Sequence, residues 1–139
     1  VTVEGTDAPP SAGTKTSSVL TSETIAGSVY GDCPTVGPSV SVTVGKRGLL
    51  LVTVSCRMAV TDTNDGGFMS FLLSGANTLA ADDARSLEFF PKINGAYQKM
   101  SYTKLLTGLV PGATTVLAQY KTSGADITFD TREIIAMPL

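Results

Sequence analysis

Five carboxylates, Asp62, Asp65, Asp82, Asp83 and Glu88, fall within one stretch of this chain and are the residues whose type could do chemistry. A pair of them at a set separation would serve as the acid and base of a glycosidase. Each, however, falls in a loop, at a turn or in a short run, where Asp commonly forms turns or caps helices. They therefore read as structural. The loop Asp62-Thr63-Asn64-Asp65-Gly66-Gly67 has a faint likeness to a calcium loop. It lacks the regular acidic spacing and the distant bidentate Glu that an EF-hand needs. The aromatics Tyr30, Tyr97, Tyr102 and Tyr120, with Phe89-Phe90, could stack on sugars. Tyr102 and Tyr120 sit on apolar strand faces and are expected in the core, whereas Tyr30 and Tyr97 lie beside turns.

Other chemistry is excluded by composition. The 139 residues contain no histidine, so no Ser-His-Asp or Cys-His system can form. Two cysteines without histidine cannot supply the usual nitrogen and sulfur ligands of zinc, and no Walker or Rossmann motif is present. No cofactor and no catalytic residue is expected. Cys33 lies in a Gly-Asp-Cys-Pro turn and Cys56 on the apolar face of a strand. They could be a buried free thiol at Cys56 and an unrelated turn cysteine at Cys33, or a disulfide closing a loop of about 22 residues and adding roughly 3 kcal/mol by chain entropy. The net charge of −2 and the scattered lysines and arginines, with Lys46-Arg47 the only adjacent pair, leave no footprint for nucleic acid. The longest apolar run, Leu49-Leu50-Leu51-Val52, falls far short of the roughly 20 residues of a membrane span. Charged residues make up only 16% of the chain, against a usual value of roughly 25%. A surface so sparsely charged suits a protein that spends part of it on partners, and equally a β-domain rich in Ser and Thr.

The elements that position these residues read as strands. Val40, Val42 and Val44 alternate with Ser39, Ser41 and Thr43, a half-buried strand by the period-two rule. After the turn Gly45-Lys46-Arg47-Gly48, the residues Leu50, Val52, Val54, Cys56, Met58 and Val60 share one face of a long central strand. Strands follow over Phe68–Ser74, Leu87–Phe90, Gln98–Leu106 and Thr114–Lys121, and two more close the chain, Ile127–Phe129 and Glu133–Leu139. Ala80–Arg85 could form one helical turn. About eight or nine strands make an all-β, antiparallel β-sandwich of jelly-roll-like form over residues 19–139. Residues 1–18, with Gly5, Pro9-Pro10 and few large apolar side chains, read as an extended N-terminal arm or linker. That segment is either a frayed terminus or an arm that orders against a neighbouring subunit. The last strand runs to Leu139, so attachment is expected through the N-terminal end.

Three segments carry a resemblance: Ser28-Val29-Tyr30 through Thr35–Val44; Phe71–Ala76 with Ala80–Arg85; and Thr107–Gly112 with Thr128–Ile134 and the closing Met137-Pro138-Leu139. Together they resemble β-sandwich modules in virion proteins of tailed actinobacteriophages, among head-decoration, head-fibre and minor tail proteins. The resemblance implies a non-enzymatic capsid decoration or head-fibre protein on the outer surface of the virion. It would be a homotrimer held to the major capsid protein, or to another virion protein, through the N-terminal arm. The alternative is a tail-fibre receptor-binding module that recognises a host cell-surface glycan. A fibronectin-III-like domain is a weaker likeness through Leu106–Gly112, because that family's core tryptophan is missing.

Overall fold

The computed structural model describes residues 13–60, 64–91, 93 and 95–139. Nine strands form two antiparallel sheets: β1 (Lys15–Val19), β2 (Glu23–Ile25), β3 (Ser39–Val44), β4 (Leu50–Val60), β5 (Gly67–Gly75), β6 (Leu87–Phe89), β7 (Tyr97–Leu106), β8 (Gly112–Thr122) and β9 (Ile127–Pro138). One sheet has the order β1-β9-β4-β7, with β2 also on β9, and the other has the order β3-β8-β5-β6. The pairs β5–β6, β4–β7, β3–β8 and β1–β9 nest from the middle of the chain outwards. A single long hairpin rolled up on itself gives this nesting, which is the jelly roll. The expected fold class and strand number are both observed among the described residues.

Alternation explains the two layers. In β3 the valines face in and Ser39, Ser41 and Thr43 face solvent. In β4 Leu50, Val52, Val54, Cys56 and Met58 are fully buried and pack across the interior on Met69, Phe71, Val116, Ala118 and Tyr120. The core is one continuous apolar layer between the sheets, as the period of two dictates.

Three local readings change. The segment read as an arm enters the sheet at Lys15, because Lys15–Val19 pair with Arg132–Ala136 of β9; residues 1–12 lie outside the described residues. The helical turn expected over Ala80–Arg85 is a 3₁₀ turn over Asp83–Arg85, capped by the Asp82 carboxylate accepting from the Ala84 N–H. The two closing strands are one. β9 runs twelve residues without a turn, and its register against β4 slips between Ser55 and Arg57. That slip is a β-bulge, with Thr131 at φ 47°. A one-residue insertion moves every later side chain to the other face. Ile127 and Phe129 point inward before the bulge, Ile134 and Ala136 after it.

Candidate functional site

The bulge turns Arg132 into the core, where it is fully buried. Its guanidinium donates to the Glu23 carboxylate on β2 and to the carbonyls of Thr35 and Gly37 at 3.3 and 3.4 Å. It also lies 5.3 Å from the Tyr120 ring centroid. Tyr120 donates its hydroxyl to the Gly37 carbonyl at 2.8 Å. Glu23 in turn accepts from the Thr35 N–H and hydroxyl. Gly37 has φ 110°, a backbone conformation that glycine alone adopts readily, and it turns this carbonyl toward both donors. Burial pushes the Glu23 carboxyl up, but Thr35 and Arg132 outweigh it and hold the group below the ordinary range. A buried guanidinium needs such partners, since an unpaired charge in the core costs several kcal/mol. The Nε of Arg132 alone has no partner. The cluster ties the connection between β2 and β3 to both sheets and closes that side of the sandwich.

Cys33 and Cys56 are both buried and unbonded. Burial raises the Cys33 thiol to about 11 against a partial offset from Arg132, and raises Cys56 further. Neither is a reactive thiolate at neutral pH.

Of the carboxylates singled out in the sequence, Asp83 and Glu88 both lie near the Tyr30 hydroxyl. Asp62 lies outside the described residues. Asp65 accepts from the Ser123 hydroxyl, and Asp82 caps the 3₁₀ turn. Asp83 pairs with Lys121 at 2.8 Å and accepts from the Tyr30 hydroxyl, which with burial raises the Tyr30 phenol. The Lys121 hydrogen bond holds Asp83 low. No group of three or more Cys, Asp or Glu is placed to hold a metal among the described residues. Of the tyrosines, Tyr120 is core, Tyr102 is half-buried and donates to the Ala84 carbonyl, and Tyr97 is 58% exposed under Arg57. Arg57 also makes a bidentate pair with Asp130 at 2.8 Å, and this pair holds Asp130 low.

The opposite side of the sandwich is open. There the edge strands β6 and β7 flank a cleft of about 400 Å³ lined by Glu88, Phe90, Pro91, Ile93, Gln98 and Met100, among others. Phe90 stands edge-on to Phe68 yet is 48% exposed, and Ile93 is 70% exposed. Sequence reasoning missed both this cleft and the Arg132 cluster. The available signals were a charged residue where the inward parity of β9 changes, and the Phe-Phe-Pro run that ends β6.

No protein-family model matches the chain, and no curated protein matches it in sequence. Solved structures do. The chain is similar to VP2 of infectious bursal disease virus in its subviral particle, with a TM-score of 0.62 at 10% identity over 90% of this chain and 32% of that one. The T13 particle of the same virus gives 0.59 at 11% identity, over 90% and 30%. The Gt strain gives 0.57, also at 11%, over 90% and 32%. The chain thus spans about a third of those proteins, and at such identity the likeness is one of fold.

Proposed function

We propose that this chain is a non-enzymatic building block of a virus particle, a capsid decoration or head-fibre protein carried on the outer surface. The observation that supports the reading is the match of nine-tenths of the chain to about a third of VP2 in a subviral particle. Jelly rolls serve both viral shells and lectins, so the fold admits a structural and a sugar-binding role. The aromatics favour the structural one. Stacking on a sugar needs a free ring face, and a cation already covers one face of Tyr97 (Arg57) and one of Tyr30 (Lys121). A tail-fibre module that takes a host cell-surface glycan is the competing assignment. The sequence resemblance to actinobacteriophage virion modules supplies the kind of virus and the homotrimeric state of the proposal.

Antibody labelling of gradient-purified particles tests the reading. Gold on the particle surface is the expected result, and absence of the protein from particles overturns it. Mass in solution tests the trimer, which a concentration-independent monomer would exclude. Deleting residues 1–12 spares every described strand, so it should release the protein from particles without unfolding it.

A further inference from the structure

We infer that the free edge of β7, with the cleft beside β6, is the seat of residues 1–12 of a second copy of this chain. The inference rests on the building-block reading and names the partner surface within it. β7 is ten residues long, pairs β4 on one side, and has no strand on its other side among the described residues. Such an edge presents a row of unpaired N–H and C=O groups, and chains that leave one this long invite strand addition. Phe90, Pro91, Ile93 and Met100 add an apolar wall at one end of that row.

Residues 1–12 fit this surface in composition. Val1-Thr2-Val3-Glu4 is β-branched and alternating, and Pro9-Pro10 is stiff and apolar, suited to an aromatic-lined cleft. The charges are complementary as well. The only charged side chains of residues 1–12 are Glu4 and Asp7, whereas those of β7 are Lys99, which lies 3.5 Å from the Glu133 carboxylate, and Lys104. Antiparallel addition with Pro9-Pro10 at the cleft carries Glu4 along β7 towards these lysines.

In this antiparallel arrangement geometry places the donor on another copy. Gly13 lies against Pro138, on the far edge of the sheet from β7 and level with Leu50 and Leu106. Three strand spacings of about 4.8 Å and nine residues of about 3.4 Å separate it from the Tyr97 end, roughly 34 Å in all. Pro9, four residues before Gly13, reaches only about 14 Å. Even the fully extended segment would span about 41 Å, too little to reach the cleft and then lie along β7 of its own chain.

Two singly substituted full-length chains, Val3→Cys and Ser101→Cys, test this when mixed under mild oxidation, because only contact between copies can then join them. The native thiols are buried. The heterodimer should form at least ~10-fold faster than with Thr43→Cys, an exposed site on β3, as proximity raises effective concentration. Lys99→Glu with Lys104→Glu in the Ser101→Cys chain should remove most of that advantage. Equal rates for the two sites overturn the inference. So does a Val3→Cys/Ser101→Cys chain that closes on itself at high dilution. Failure of the building-block reading is seen separately, in particle labelling, and leaves these rates untouched.

Discussion

The two sides of the sandwich are built on opposite principles. On the side of β1, β2 and β3, the buried charge is met by partners far away in sequence, and Arg132 gathers Glu23, Thr35, Gly37 and Tyr120. On the side of β6 and β7 no further strand pairs with the sheet edges among the described residues, and Phe90, Ile93 and Tyr97 face solvent. The first side holds the fold together, and what it loses should appear as stability. The second contributes little to the fold, and what it loses should appear as association. The contrast separates the surface that carries stability from the one proposed to carry association.

The sharpest break is Arg132→Ala, which leaves Glu23 with one partner fewer in a site only 11% exposed. It should cost about 3–5 kcal/mol in urea unfolding, a large share of the 5–15 kcal/mol that holds a typical domain. Arg132→Met with Glu23→Leu removes both charges and should recover much of that loss. A double variant no more stable than Arg132→Ala would show that the cluster's value lies in its hydrogen bonds to the β2–β3 connection. Tyr120→Phe removes one hydroxyl from Gly37 while Arg132 still donates there, so about 1 kcal/mol is expected.

Acid should act on both sides. Asp130 is held low by the hydrogen bonds of Arg57, and Asp83 by that of Lys121. Glu23 lies low despite its burial. A carboxylate with a depressed folded pKa stabilises fully above its unfolded value near 4 and loses that contribution as pH falls through the folded one. The melting temperature should therefore hold down to about pH 5 and fall below about pH 4. A melting temperature constant to pH 3 would remove these pairs from the account of stability. The smallest folding effect belongs to the open side. Ile93→Ser or Tyr97→Ser should change stability by no more than about 0.5 kcal/mol while weakening self-association in sedimentation. A drop in stability as large as that of Tyr120→Phe would erase the distinction between the two sides.

The strands were legible where one face alternates against the other. Val40–Val44 and Leu50–Val60 announce their inward residues by period alone, and those residues are buried. The nested pairing follows once eight or nine such strands must share one core. The end of the chain was misread at Asp130-Thr131-Arg132. Three polar residues between apolar pairs resemble a turn, and only the register against β4 shows a bulge within one strand. The candidate site was less legible still. Asp82 as a cap could be read locally, but Glu23 and Arg132 are 109 positions apart, and no spacing rule links them.

What the sequence determined by itself was the class of object: an all-β chain without histidine, its inward side chains marked by alternation. Tertiary structure decided which polar residues the core would accept and which edge would stay open. Burial of Arg132 depends on Glu23 and two carbonyls arriving from another part of the chain, and the exposure of β7 on no strand arriving beside it among the described residues. Both are facts about what the folded neighbours supply, because the free energy of a buried charge or an unpaired edge is set by what lies beside it.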